Sequence, residues 1–328
     1  MAKQEALRWG LLGTARINRA LIEPIKKSKK SILHAVSSRS REKAEEYSKT
    51  WGIPHFFSNY EDMISDPDID IIYNSLPNGL HAEWSVKAMQ MGKHVLCEKP
   101  IATSNQEMDE IISTANKTGM VIAEAFMYRH HPQTILVKQM VEQGEIGNIQ
   151  LINGSFCYTN TRPSNPRFDP DLGGGCLWDV GCYPIDYARY ITGKEPVEVF
   201  GHQITGPTGI DVLYVGQMYF DPHIIAQFES SFITPFKVLI EITGDRGRIV
   251  IPEPYKPGLS TKLVLEQDGL KKTLRIKGKK LYQGEVEDIE NAILFGNPPR
   301  IRLQDSKANI STIAALYKSA QINKPVTL

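Results

Sequence analysis

The strongest constraint on the fold is a regular alternation of short apolar runs and helical patterns over the first third of the chain. Residues 7–12 form an apolar run, and a helical pattern follows over 17–27. A run rich in β-formers spans 32–37, followed by a charged helix over 41–50 that Trp51-Gly52 ends. Residues 69–74 read as a strand, 79–91 as a helix stopped by Gly92, and 94–97 as a strand. A helix over 104–118 and a strand over 121–123 complete the series. Strand and helix at this spacing specify a parallel sheet covered on both faces. The ligand of such a sheet sits at the carboxyl ends of its strands.

The rhythm then changes. Residues 133–142 are helical, and extended stretches with alternating polarity follow at 149–158, 197–204, 212–220, 224–232 and 236–243. Shorter strands are expected at 262–265 and 272–276. Helices at 177–191 and 283–294 are expected on one face of this second sheet, with a closing helix at 306–320. The expectation is an α/β chain of two domains. Residues 1–124 form a nucleotide-binding parallel sheet; residues 125–328 form an α+β substrate and dimerisation domain with an open, mostly antiparallel sheet.

A length of 328 residues suits two domains and a sizeable core. Lys and Arg number 38 against 37 acidic residues, so nothing points to nucleic acid or an anionic membrane. No apolar run reaches the ~18 residues of a membrane span. Met1-Ala2-Lys3-Gln4-Glu5 does not open a secretory signal. Cys97, Cys157, Cys176 and Cys182 form no CxxC pair, so reduced thiols and no metal site are expected. A cytoplasmic protein follows from these features.

Gly13-Thr14-Ala15-Arg16-Ile17-Asn18 occupies the place of a dinucleotide turn, between a strand and a helix. It retains the first glycine of G-x-G-x-x-G, while Ala15 and Asn18 replace the others. Gly13 permits the tight turn, and amides at the helix start can hold a pyrophosphate. At the end of the second strand an NAD-selective site usually offers a carboxylate. This chain offers Ser37-Ser38-Arg39-Ser40, with Lys43 further on and no carboxylate before Glu42. Hydroxyls and cations suit a 2′-phosphate, so NADP is expected over NAD. A polar loop with a helix N-cap at Ser40 explains the same residues without a cofactor.

Lys99, in Glu98-Lys99-Pro100, sits at the mouth of a strand. Further on comes a run from Gly173 through Tyr183, in which Asp179 and Tyr183 are four residues apart. On a helix they share one face. A phenol has a pKa near about 10, and a nearby ammonium lowers it. Lys99 with Tyr183 is then a workable acid/base for an alcohol.

With these residues in view, the chain resembles the glucose–fructose oxidoreductase/inositol dehydrogenase family (Gfo/Idh/MocA) over essentially its whole length. The matching segments include residues 10–17, 38–44, 74–81, Glu98-Lys99-Pro100, 124–132 and 173–187. The resemblance implies a Rossmann domain followed by a domain whose open sheet forms the interface of a homodimer or higher homo-oligomer. By position, Lys99 matches the catalytic lysine, Tyr183 the acid/base and Asp179 its neighbouring carboxylate. Inositol dehydrogenases carry histidine at the Tyr183 position, so this chain is more similar to the dihydrodiol and NADP-xylose dehydrogenase branch. The resemblance assigns Ser38, Arg39 and Lys43 to the 2′-phosphate. It assigns Ser75, Leu76, Pro77, Asn78 and His81 to the nicotinamide ribose, with Glu98 on the cofactor side and Arg129 at the cofactor edge. Residues 161–168 resemble a substrate-side loop, where Arg162 and Arg167 are either substrate contacts or surface cations.

The expected activity is NADP(H)-dependent interconversion of a hydroxyl and a carbonyl on a sugar, cyclic polyol or dihydrodiol. A non-catalytic NADP-sensing regulator and a redox-assisted lyase are the alternatives.

Overall fold

The computed structural model describes residues 6–162 and 164–328. Met1–Glu5, read above for a signal, and Pro163 of the substrate-side loop lie outside the described residues. The chain forms two compact units.

The first unit holds a six-stranded sheet of β1 (Leu7–Leu12), β2 (Ser31–Ser37), β3 (His55–Phe57), β4 (Ile71–Asn74), β5 (His94–Glu98) and β6 (Ile122–Ala125). Its order is β3-β2-β1-β4-β5-β6, and every pairing is parallel. Neighbouring strand residues separate into two cores, as a sheet buried on both faces requires. Leu12, Ile72, Val95 and Cys97 join one, while Leu11, Ile71, Tyr73 and Leu96 join the other. The helices α1 (Asn18–Lys27), α2 (Arg41–Trp51), α3 (Tyr60–Ser65), α4 (His81–Gln90) and α5 (Asn105–Thr118) connect the strands. The strand order reverses between β1 and β4, so their carboxyl ends flank the crevice where such sheets take ligands.

The sequence reading missed β3 and α3. With three residues and no buried side chain, β3 carries no apolar run. The start of α3 was legible in chemistry rather than period: the Asn59 side chain accepts from the Asp62 amide at 2.7 Å.

The second unit holds a nine-stranded sheet. After α6 (Pro132–Glu142) come β7 (Ile149–Cys157) and, beyond a long loop, α7 (Cys182–Thr192). The chain continues through β8 (Glu198–Thr205), β9 (Asp211–Phe220), β10 (Ile224–Ser231), β11 (Lys237–Gly244), β12 (Gly247–Ile251), β13 (Ser260–Gln267) and β14 (Leu270–Lys277). It ends with α8 (Gln283–Phe295), α9 (Leu303–Ile322) and β15 (Val326–Thr327). The order is β14-β13-β12-β11-β7-β10-β9-β8-β15. Within this sheet, only β7 and β10 pair in parallel among the described strands. Alternating burial along β9 gives the sheet one packed and one open face.

Two expectations need correction. Residues 282–306 belong to the first unit, so α8 does not cover the second sheet. Its Val286 and Ile289 pack with Leu21 and Ile25 of α1 in the first unit's core. A single division at 124/125 therefore misassigns these residues, because a helix's apolar stripe does not say which sheet it covers. The second correction lies at residues 177–191, where the expected α-helix opens with a π-helix, Leu177–Gly181, before α7.

Candidate active site

In the first unit, the turn after β1 is held by side chains. Gly13 has φ of +91°, a conformation side chains rarely adopt. Asn18, in the place of the third motif glycine, is fully buried and donates to the Gly13 carbonyl at 2.8 Å. Its Oδ1 accepts from the Ser75 hydroxyl at 2.6 Å, tying this turn to the one after β4. No side chain caps the start of α1. The amides of residues 14–17 meet no backbone carbonyl among the described residues. Free amides at a helix start form an anion-binding cradle.

At the end of β2, Ser38 is buried and accepts from the Ser40 amide at 3.3 Å. Arg39 and Lys43 are exposed. Ser40 caps α2, as the simpler reading held, by accepting from the Lys43 amide at 3.3 Å. Its hydroxyl also donates to Glu42 at 2.7 Å, so the first nearby carboxylate is engaged. Cap and cation cluster thus coexist.

Ser75 and Leu76 are buried behind the turn, with Pro77 and Asn78 half-buried. His81, assigned by the resemblance to the ribose, has partners within the protein. It is buried, with Nε2 at 2.6 Å from the Leu76 carbonyl and Nδ1 at 2.7 Å from the Pro100 carbonyl. Burial pushes its pKa down to about 4. Both ring nitrogens are committed to the protein, joining the turn after β4 to the Lys99-Pro100 turn. Glu98 is similarly held, accepting from the Tyr73 hydroxyl at 2.5 Å. Lys99 itself is half-buried at the carboxyl end of β5.

In the second unit, Tyr183 opens α7 and is 5% exposed. Its ring packs 5.3 Å from Phe156, 5.4 Å from Tyr255 and 5.8 Å from Tyr128, centroid to centroid. Such tilted aromatic contacts fix a ring's direction. The π-helix before it starts where Asp211 accepts from the Leu177 amide at 2.7 Å and from the Tyr317 hydroxyl at 2.7 Å. Gly175 sits here at φ +125°, and an added Cβ would lie 2.2 Å from Asp211 Oδ1. An insertion of this type is frequent at functional sites.

Asp179 lies within the π-helix, buried, and carries two donors on one oxygen. Arg167 Nε donates to Oδ2 at 2.7 Å and the Tyr158 hydroxyl at 3.0 Å. Burial and the Asp179 charge push the Tyr158 phenol up, so it stays protonated as a donor. Both loop arginines are exposed, and of the two it is Arg167 that pairs with Asp179. Arg129, expected at a cofactor edge, is engaged within the second unit. It is buried, paired with Asp186 at 2.6 Å, and stacked 4.0 Å over the Tyr190 ring. Tyr128 donates to the other oxygen of Asp186.

Sequence reasoning missed Asn18, Tyr158, Tyr128 and Asp186, and named Arg129 for a cofactor edge without its pairing to Asp186. Asn18 alone left a trace, as a polar residue in a glycine's place in the turn.

Residues 7–126 match the family described as "Oxidoreductase family, NAD-binding Rossmann fold", GFO_IDH_MocA. Residues 134–250 match the "GFO/IDH/MocA C-terminal domain". An oxidoreductase of Rhizobium meliloti, ORF334, is 33% identical, covering 97% of this chain and 98% of that protein. The D-xylose 1-dehydrogenase (NADP(+)) 2 of Haloferax volcanii is 32% identical over 98% of this chain and 100% of its own length. Among solved structures, the 3-ketoreductase KijD10 of Actinomadura kijaniata in complex with NADP and TDP-benzene superposes with a TM-score of 0.92. It is 25% identical and covers 96% of this chain and 98% of its own. The chain belongs to the GFO/IDH/MocA family of oxidoreductases.

Proposed function

We propose that the protein transfers hydride between NADP and a carbon bearing a hydroxyl or carbonyl, on a sugar, cyclic polyol or dihydrodiol. The observation that carries this reading is Tyr183, a buried phenol whose ring is fixed by three aromatic neighbours and whose preceding helical turn carries Asp179.

The first unit fits the dinucleotide. The free amides of residues 14–17 suit its pyrophosphate. Ser38, Arg39 and Lys43 suit a 2′-phosphate through charge-assisted hydrogen bonds, and the nearest carboxylate, Glu42, is held by Ser40. The names of the relatives point to NADP as well. The bound nicotinamide supplies the hydride chemistry.

The protein's own work is proton transfer. In oxidation Tyr183 takes the substrate hydroxyl proton; in reduction it returns one to the new alkoxide. Lys99 favours the phenolate and polarises the substrate oxygen. Asp179, anchored by Arg167 and Tyr158, sets the direction of the Tyr183 turn. His81 acts from behind, holding the turn that carries Lys99.

The test is a panel of carbonyl sugars, ketosugars and diol-derived ketones assayed with NADPH and NADH. Oxidation of NADPH with at least one sugar or polyol ketone is expected. Binding of NADP with no turnover across the panel would overturn the reading in favour of a sensor.

The exposed Val215, Tyr219 and Ile225 on the open face of the second sheet support a homo-oligomer built through that face.

A further inference from the structure

The segment that enters α7 is gathered on one carboxylate. Asp211, the first residue of β9, is 3% exposed. Its Oδ2 accepts from the Leu177 amide at 2.7 Å, and Cys176 Sγ stands 3.1 Å from the same oxygen. Its Oδ1 accepts from the Tyr317 hydroxyl of α9 at 2.7 Å. Burial, then the Asp211 charge, keep the Cys176 thiol protonated, so it stays a donor. The chain comes this close because residue 175 has no side chain: a Cβ there would lie 2.8 Å from the Tyr317 hydroxyl as well as against Asp211. Gly181, at the other end of the π-turn, is confined too, since a Cβ there would lie 3.0 Å from Ser230 Oγ of β10. One end of the π-helix is thus pinned by a hydrogen-bonded carboxylate and the other by close contact, both on strands of the second unit.

The π-helix runs without interruption into α7, so Asp179 and Tyr183 are carried on one helical segment. A π-turn closes with i→i+5 bonds, one residue longer than an α-turn. Relaxing it to α-helix would turn the residues before it against those after it by up to about 100°, one residue of a 3.6-residue turn. Asp179 is held from outside the helix by Arg167 and Tyr158, and the Tyr183 ring packs against Phe156 and Tyr255. These two sets of contacts coexist in the phase that the π-turn sets. We propose that Asp211 is a positioning residue for the reaction: by holding the Leu177 amide it fixes the π-turn, and the π-turn sets the angle between Asp179 and Tyr183. This rests on the reading of Tyr183 as acid/base. The hydrogen bonds of Asp211 go to Cys176, Leu177 and Tyr317, so it acts through the backbone of the helix start.

The test measures kcat per NADP-binding molecule, and the NADP dissociation constant, on a substrate found in the panel. It compares Asp211→Ala, Asp211→Asn, Tyr317→Phe, Asp179→Ala and Tyr183→Phe with the parent. Asp211→Ala is expected to lower kcat about 100-fold, the cost of a misplacement of about 1 Å, with NADP affinity unchanged. Asp211→Asn restores most of the loss, because its carbonyl can take the Leu177 amide while its amide group donates to the Tyr317 hydroxyl. Added to Asp179→Ala, Asp211→Ala costs little more, since the two act as one unit. A merely structural role would lower the folded fraction and leave kcat per NADP-binding molecule in place. Tyr317→Phe lowers kcat by less, and its loss too is absent in the Asp179→Ala background; it carries the test should Asp211→Ala not fold. Three results overturn the proposal and leave the Tyr183 mechanism standing, provided Tyr183→Phe is inactive: parental kcat in the folded Asp211→Ala or, failing that, Tyr317→Phe; losses that multiply with that of Asp179→Ala; or an Asp211→Asn enzyme as slow as Asp211→Ala. Full activity in Tyr183→Phe overturns that mechanism, and this proposal with it.

Discussion

The nucleotide end of the first unit and the phenol end of the second are built by opposite means. In the first, backbone does most of the work: a strand ends, Gly13 turns the chain, and a helix begins with its amides free. Side chains such as Asn18 and His81 brace that backbone from within. In the second, side chains make the site. Tyr158, Arg167 and Asp179 meet from three elements, and Asp211 reaches across from β9 to start the π-helix. A backbone site tolerates much side-chain change provided its turns persist. A side-chain site fails with single atoms.

Predictions that strain this contrast run from large effects to small. If cations at the β2 end read the 2′-phosphate, Arg39→Ala with Lys43→Ala lowers kcat/KM for NADP at least about 100-fold and leaves NAD almost unchanged, since each charge-assisted contact is worth about 1.5–3 kcal/mol. The ratio of kcat/KM for the two cofactors is the measurement. An unchanged ratio would return those residues to the role of a polar cap.

The bracing of the first unit is pH-sensitive. Burial holds His81 at about 4 in the folded chain, against about 6.5 unfolded. Between those values the unfolded chain binds the extra proton, so stability falls as pH drops through that window, by on the order of 3 kcal/mol in all. Above about pH 6.5 this contribution to stability is fully present. Urea unfolding at pH 5 and pH 7 is expected to show a steeper loss in the parent than in His81→Asn. Equal pH dependence would mean His81 does not titrate as placed.

A smaller effect is expected at Asn18. Changing it to Ala leaves the Gly13 carbonyl and Ser75 hydroxyl without their shared partner, costing about 1–3 kcal/mol of stability. The KM for NADP should rise with kcat little altered. A change in kcat alone would show that the turn does more than hold the dinucleotide.

The same contrast explains what the sequence could reveal. The parallel sheet was legible because β4 and β5 are short apolar runs at regular intervals, and the turn was legible from Gly13 in its strand–helix setting. The mostly antiparallel second sheet was legible from alternation along β9 and β10. Three things were not. The three-residue β3 has no periodicity to read. The unit to which α8 belongs depends on which sheet its stripe meets, and one stripe looks like another. The π-helix depends on Asp211, distant in sequence from Leu177, so no local pattern announces it. Arg167 stood as either contact or surface cation, because only the fold brings it to Asp179.

The most direct measurement is the turnover of Tyr183→Phe and Lys99→Met, each compared with its NADP dissociation constant, on a substrate found in the panel. The account predicts kcat lower by about 10²–10⁴ in both, the usual worth of a positioned acid/base, with NADP bound as tightly as by the parent. Parental kcat in either variant would contradict it.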